Sequence, residues 1–323
     1  MISVLMPTYN TAATIATAVQ SILKQTWKEF ELLILDDGST DTTNEIISNI
    51  RDDRIRYIKL PHQGLTKTLN YGLSIAATHD IIARMDADDL CVPWRFETQL
   101  SILSQLPRNT ILSSWYGIFT DTTLKYFVTQ PTTSSAIKKG LLLHSFISHP
   151  GLMCYKDTLL NNGGYCNNVE IDAFQDYETW LKIKDKVKFH IIPEILVFQR
   201  YRKNSLSNNL VYKQKMMYSI QEAYYVNLQH NFGISDKRED NLYRGWREYF
   251  YGDKRKARKH WRKLGYMTFR QPRVVLAWLV TFLPENIFIR FKEFRLKFRL
   301  WYLIHYYSRM NIQLRKQFVS LIR

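Results

Sequence analysis

IIARMDADDLCVP, Ile81 to Pro93, is an apolar run that ends abruptly in three carboxylates, Asp86, Asp88 and Asp89. Such a run, with β-branched Ile81 and Ile82 at its start, reads as a buried strand that delivers ligands at its carboxyl end. In open α/β sheets that end is where ligands sit. Asp86 and Asp88 flank the small Ala87, and alternation along an extended chain points both side chains to one side. Like charges held that close repel each other unless a cation lies between them. Hard divalent ions are bound by one or two carboxylates plus substrate phosphates, so the stretch reads as a metal–diphosphate site. The competing reading is a solvated acidic turn that caps the helix starting near Pro93, since Asp is a common N-cap.

Upstream, strands and helices alternate. Ile2–Met6 reads as a buried strand stopped by Pro7, Phe30–Leu35 as a second strand running into Asp36-Asp37-Gly38-Ser39, and Ile55–Leu60 as a third. Between them lie helix-period patterns: Ile15, Ala18, Val19, Ile22 and Leu23; Ile46, Ile47 and Ile50 behind a Thr42…Glu45 capping box; and Leu65–Ala77. With a fourth strand at Ile81–Met85, the alternation predicts βαβ units and a mostly parallel sheet flanked by helices. In such a sheet Thr8-Tyr9, Asp36-Asp37 and Asp86–Asp89 share one edge and converge on one ligand. No G-x-G-x-x-G follows the first strand and no G-x-x-x-x-G-K-[ST] appears, which argues against a dinucleotide dehydrogenase and a P-loop ATPase. A ring such as Tyr9 and a carboxylate such as Asp37 are what stacks on and hydrogen-bonds a nucleobase; a core Tyr and a helix-capping Asp are the alternatives.

Downstream, Trp94, Arg95, Phe96, Gln99, Leu100 and Leu103 pattern as an amphipathic helix. Strands are expected at Thr110–Phe119 and Tyr126–Val128 around an Asp121-Thr122-Thr123 turn. His149-Pro150-Gly151 and Gly163-Gly164-Tyr165 mark loops. Asp176 sits at or near a helix start, a position that favours the ionised form and so suits a general base. A plain N-cap is the alternative.

The chain has 323 residues, 46% hydrophobic and 23% charged, which is enough for one large folded domain plus an appendage. Cys91, Cys154 and Cys166 show no paired spacing, which suggests a reducing compartment and no zinc site. The opening ISVLMP enters a strand directly, so no secretory signal is expected. The longest apolar run, Val274 to Leu283, is far shorter than the ~20 residues a spanning helix needs. The net charge of +16 is uneven: from Asp236 onward there are 22 Lys+Arg against 7 Asp+Glu. A basic appendage on a near-neutral body points to an anionic partner surface, lipid or nucleic acid. Ile287, Phe291, Phe294, Phe298 and Trp301 at 4-3-4-3 spacing, with basic residues interleaved, pattern as an interfacial helix. The apolar run Val274–Leu283 favours lipid over nucleic acid.

Taken in order, PTYN at 7–10, DDGST at 36–40, RMDADD at 84–89, GGY at 163–165 and QD at 175–176 resemble the family-2 inverting glycosyltransferases with the GT-A fold, and most closely the bacterial enzymes that build surface polysaccharides. GLTKTLN at 64–70, and Pro93, Arg95 and Gln99, fit the same group. The resemblance covers about residues 1–210 and implies a GT-A domain there, with a helical, basic, membrane-associating region over 211–323. It implies a donor site of Pro7, Thr8, Tyr9, Asp37, Lys67, Arg84 and Asp86, with Mn2+ or Mg2+ on Asp88 and Asp86. Asp176 falls at the position of the catalytic base. His149, Gly164, Tyr165, Gln175 and Arg202 are acceptor-side or loop candidates. Gln175 stands where the family usually has Glu, and Arg202 where it has a His; a guanidinium has no acceptor and cannot ligate a cation.

The implied activity is transfer of a sugar from a nucleotide-diphosphate donor, a UDP-sugar first, to a hydroxyl of a glycan or polyprenyl-diphosphate-linked saccharide. The expected place is the cytoplasmic side, peripheral at the inner face of the plasma membrane, with no nucleic acid as partner. A sugar nucleotidyltransferase is the nearest enzymatic alternative, although PTYN is not its glycine-rich basic phosphate loop. A basic nucleic-acid- or membrane-binding protein without catalysis is the alternative from another class.

Overall fold

The computed structural model of the protein describes residues 1–76, 80–121, 123–144, 146–166, 174–202, 215–224, 237–265, 272–288, 290 and 318–319. It divides into two compact units. The first comprises Met1–Lys138, Phe146–Arg202 and Tyr307–Arg323, and the second Lys139–Ser145 and Lys203–Tyr306.

The first unit is built on a nine-stranded sheet. Its strands are β1 (Ile2–Thr8), β2 (Phe30–Asp36), β3 (Ile55–Lys59), β4 (Ile81–Arg84), β5 (Leu90–Cys91), β6 (Thr110–Thr120), β7 (Thr123–Val128), β8 (Met153–Tyr155) and β9 (Lys188–Arg200). They run in the order β3-β2-β1-β4-β8-β6-β9-β5, with β7 added beside β6. The β1–β2, β2–β3 and β1–β4 pairings are parallel, and β6 pairs β9 in parallel. β8, β7 and β5 run against this direction. The expected mostly parallel sheet is therefore present, but its second half is stitched in by short antiparallel strands.

Pro7 does not stop β1. It continues in register with Leu35, and the strand ends at Thr8, opposite Asp36. The helices α1 (Ile15–Leu23), α2 (Thr43–Ser48), α3 (Leu65–Ile75) and α4 (Arg95–Leu103) cover the sheet. Ile15, Ala18, Val19 and Ile22 of α1 are fully buried, as are Val4, Met6, Leu32 and Ile34 of the strands in the same core. Gly72 lets α3 approach the sheet, because a Cβ there would lie 2.4 Å from a Leu35 methyl. The expected capping box on α2 does not form, since Thr42 makes no side-chain cap bond. Asp41 Oδ1 instead accepts from the Thr43 N–H and hydroxyl. Aspartate is the stronger acceptor at a helix start, and one residue of offset decides which side chain reaches the free N–H groups.

Farther along come α5 (Ser134–Leu141), α6 (Lys156–Leu160) and α7 (Gln175–Ile183). β9 is the longest strand and pairs with nearly the whole of β6. Its register slips between Ser114 and Tyr116, opposite Pro193 and Glu194, so the proline occupies a bulge where no ladder N–H is required.

The second unit is helical. Residues 215–224 are helical, and the helices Lys237–Tyr251, Lys254–Arg262 and Pro272–Val280 pack around Tyr249, Ala257, Trp261, Val274 and Ala277. Asp253 caps the second of these, accepting from the Arg255 and Lys256 N–H groups. No helix among the described residues is long and apolar enough to cross a membrane. Apart from Ile287, Phe288 and Arg290, the residues of the expected basic helix at 287–301 lie outside the described residues.

Candidate active site

The carboxyl ends of β1, β2 and β4 lie side by side through parallel pairing, and the loops leaving them hold the residues singled out in the sequence. The Thr8 carbonyl accepts from the Asp37 N–H at 2.9 Å. Asn10 ties the first loop to the second. Its Oδ1 accepts from the Thr40 N–H at 2.9 Å and its own N–H donates to Ser39 Oγ. Asn10 has φ +52, a left-handed conformation that Asn tolerates better than most residues. Its role went unread in the sequence, where the four-residue turn after β1 was the only signal.

Tyr9 is exposed, and its ring stacks on His62 with centroids 4.3 Å apart. Asp37 is buried. It accepts from the Gln63 N–H, the Gly64 N–H and the Thr68 hydroxyl at 2.9–3.0 Å, and His62 Nδ1 lies 2.9 Å from both its carbonyl and its Oδ2. Asp37 thus fixes the start of α3 while standing beside the exposed Tyr9–His62 pair. Asp36 is fully buried and accepts from the Ser39 N–H and the Tyr57 hydroxyl. Lys67 is exposed on α3.

At the end of β4, ligand oxygens of Asp86, Asp88 and Asp89 lie within 4.8 Å of one another. Each carboxylate has a different donor. Arg84 Nη2 donates to Asp86 Oδ1 at 2.6 Å, Arg202 Nε to Asp88 Oδ2 at 2.9 Å, and the Arg200 backbone N–H to Asp89 Oδ1 at 2.8 Å. Asp89 is buried, and burial together with Asp88 and Asp86 drives its carboxyl well above the usual range. It does not cap the following helix, whose first turn takes no side-chain cap bond; it anchors the end of β9. Burial and Asp86 also push Asp88 up, with Arg202 and Arg200 pulling it back. The capping alternative for this stretch therefore does not hold.

Arg84 is 1% exposed. Its Nε and Nη1 have no hydrogen-bond partner among the described residues. Its contact with the acidic corner is the ion pair with Asp86. Behind it, Arg95 of α4 is fully buried, donating Nη2 to the Arg84 carbonyl at 2.9 Å and Nε to Gln99 Oε1 at 2.8 Å. Gln99 Nε2 in turn donates to the Gly151 carbonyl. The buried arginine and glutamine after Pro93 thus clamp the end of β4 to the His149–Gly151 loop.

Asp176 is the second residue of α7. The adjacent Tyr177 N–H donates to its Oδ1 at 2.7 Å. The helix start does not keep it at an ordinary value: burial raises its pKa to about 6, and Asp86 adds to the rise while Tyr177 N–H and Arg84 oppose it. Desolvation outweighs the helix terminus here. The field of Asp86 and Arg84 on Asp176 brings the acidic corner and α7 into one electrostatic site. Gln175 is buried, and its Oε1 has no hydrogen-bond partner among the described residues.

His149, Gly164 and Tyr165 form a buried cluster with Asn70. His149 is buried, bonded through Nε2 to the Tyr165 hydroxyl at 3.0 Å, and held neutral because burial takes its pKa well below the usual value. Tyr165 is 1% exposed. Asn70 of α3 grips the Tyr165 backbone, accepting from its N–H and donating to its carbonyl, both at 2.9 Å. Gly164 has φ +69, and a Cβ there would lie 2.6 Å from Asn70 Oδ1. The Gly-Gly-Tyr loop is therefore locked by a side chain that the sequence reading did not connect with it.

Residues 3–163 match the family described as Glycosyl transferase family 2. The chain is 30% identical over 236 residues to the O-antigen biosynthesis glycosyltransferase WbnJ of Escherichia coli, across 69% of this chain and 88% of that one. This chain is a family-2 glycosyltransferase. Another similar protein of this glycosyltransferase is the E. coli UDP-Glc:alpha-D-GlcNAc-diphosphoundecaprenol beta-1,3-glucosyltransferase WfgD, 26% identical over 68% of this chain and 85% of that one. In fold, the glycosyltransferase resembles Staphylococcus aureus TarS 1-349, solved in complex with UDP-GlcNAc. The TM-score is 0.61 at 16% identity, covering 87% of this chain and 79% of that one. The GT-A architecture expected from the sequence is thereby matched.

Proposed function

We propose that this glycosyltransferase inverts the anomeric carbon as it moves a sugar from a nucleotide-diphosphate donor, with UDP as the nucleotide, to a hydroxyl of a lipid-linked saccharide in surface-polysaccharide assembly. The observation that carries this reading is the shared edge of β1, β2 and β4, whose loops carry the Tyr9–Asp37 pair and the Asp86–Asp88 pair, with Asp86 acting electrostatically on Asp176. The likeness to WfgD, named as a UDP-Glc transferase acting on a GlcNAc-diphosphoundecaprenol acceptor, supports the donor and acceptor classes.

The donor set at the acidic corner is all oxygen, which suits Mg2+ or Mn2+. Asp86 and Asp88 would hold such an ion, since Asp89 is engaged by β9. When bound, the ion acts as a Lewis acid that offsets the negative charge of the leaving diphosphate. The rest falls to the chain. Tyr9 supplies an exposed ring for the base, and Asp37 a fixed carboxylate beside it. Arg84 orients Asp86. Asp176 accepts the acceptor hydroxyl's proton as that oxygen attacks the face opposite the leaving group. A carboxylate with a pKa of about 6 is mostly ionised at neutral pH, which is what a general base requires.

Membrane attachment belongs to the same reading. On the helix Pro272–Val280 and just beyond it, Leu276, Leu279 and Phe282 are each more than half exposed. Arg258 lies over the Phe282 ring at 4.6 Å, and Arg255 and Arg262 fall on the same face of their helix as Arg258. An apolar strip edged by arginines suits an anionic lipid surface. A thermal-shift screen of nucleotide sugars with and without Mn2+ tests the donor assignment. UDP-sugars with Mn2+ should raise Tm, and the absence of a shift with any nucleotide sugar would overturn it.

A further inference from the structure

Arg202 stands where the family has a histidine, and its position in the fold gives it a role a histidine would not have. β9 ends at Arg200, which is pinned from three sides. Its N–H donates to Asp89 Oδ1 at 2.8 Å, its Nε to the Asp88 carbonyl at 3.0 Å, and its guanidinium covers the Phe119 ring at 4.6 Å. Two residues on, Arg202 has a side chain 44% exposed, and it reaches back so that Nε meets Asp88 Oδ2 at 2.9 Å. Its Nη2 donates to Thr14 Oγ1 at 3.4 Å. The Thr14 hydroxyl itself donates to the Ala87 carbonyl, at the centre of the Asp86-Ala87-Asp88 turn. The backbone at the end of β9 is thus fixed, while the arginine side chain is partly exposed and grips Asp88 by an ion pair.

A guanidinium and a divalent cation compete for Asp88, because both draw on the same carboxylate charge. A guanidinium also matches phosphate oxygens in paired hydrogen bonds, and a diphosphate offers more charge and more acceptors than one carboxylate. We propose that Arg202 is a latch on the cation site: it closes on Asp88 in the empty enzyme, and the diphosphate of the donor draws it away and frees Asp88 for the ion. Cation and nucleotide diphosphate then bind with positive coupling, which must be reciprocal. This inference rests on Asp86 and Asp88 being the cation site.

The test measures Mn2+ binding in the absence of nucleotide, and UDP binding in the absence of metal, on the full chain with wild type, Arg202→Gln and Asp88→Asn. Arg202→Gln should bind Mn2+ at least ~10-fold more tightly and metal-free UDP at least ~10-fold more weakly, since a charge-assisted hydrogen bond is lost from one ligand and a competitor from the other. Shifts of opposite sign are not what general damage to the fold produces. Asp88→Asn releases the arginine without removing it and should bind metal-free UDP more tightly than wild type. That arm keeps the proposal testable should Arg202→Gln fold poorly. Unchanged Mn2+ affinity in Arg202→Gln would overturn the latch. Unchanged UDP affinity in both variants would overturn the hand-over to diphosphate. No Mn2+ binding by any protein, with UDP present or absent, would overturn the cation site itself and the latch with it.

Discussion

Asp176 shows how environment outweighs position. Its place at a helix start favours the anion, yet burial takes the group to about 6, above its ordinary 3.8. The sign of the linkage follows: the native state holds this proton more tightly than the unfolded state, so stability is lost as pH rises through the window from about 4 to about 6. Asp176→Asn removes that cost and should raise stability at pH 7.5 by about 3 kcal/mol, with little change near pH 4. Denaturant unfolding at the two pH values checks this, and equal effects at both would contradict the burial argument. In the wild type, kcat/KM should fall about tenfold per pH unit below about 6. A limb near 4 instead would mean an ordinary solvated carboxylate. Asp176 was singled out as the candidate base by the resemblance and by its place at a helix start; its proton affinity was not legible, because desolvation depends on chain segments distant in sequence.

Among the elements, β1 to β4 and α1 to α4 were legible because hydrophobic period and turn residues agree there. β5, β8 and β9 were not. The first two are two and three residues long, and β9 carries Pro193 at a bulge, so none shows a sustained strand pattern. The Asn70 fork was also hidden, since it joins α3 to a loop 95 residues away. It makes a specific prediction at Gly164. Gly164→Ala places a Cβ against Asn70 at a positive φ and should cost about 1–3 kcal/mol. Asn70→Ala should weaken the same loop by removing both bonds to Tyr165, and the two changes together should cost less than the sum of each alone. Strict additivity in a double-mutant cycle would show that the loop does not depend on the fork.

For the whole molecule, the charge asymmetry was plain in the sequence, with nearly all of the +16 in the last quarter. The part of that region the structure describes adds the exposed strip of Leu276, Leu279 and Phe282, which the run Val274–Leu283 announced only as apolar. Burial of Val274, Ala277 and Val280 on the opposite face separates the residues that build the unit from those left to meet a partner. Leu276→Asp with Leu279→Asp should lower retention on anionic vesicles at least ~10-fold and leave transfer to a detergent-dispersed acceptor intact. Raising the salt should weaken wild-type binding to the same vesicles. Equal retention of the double variant in vesicle flotation would remove lipid as the partner of this strip.

The central claim is that Asp176 is the base of a site whose donor corner is built separately, on β1, β2 and β4. The measurement that tests it most directly compares Asp176→Asn with wild type in two assays, UDP binding in the presence of Mn2+ and sugar transfer from the UDP-sugar that stabilises the protein. The account predicts UDP binding within about threefold of wild type and transfer reduced at least ~100-fold. Transfer close to wild type would contradict it.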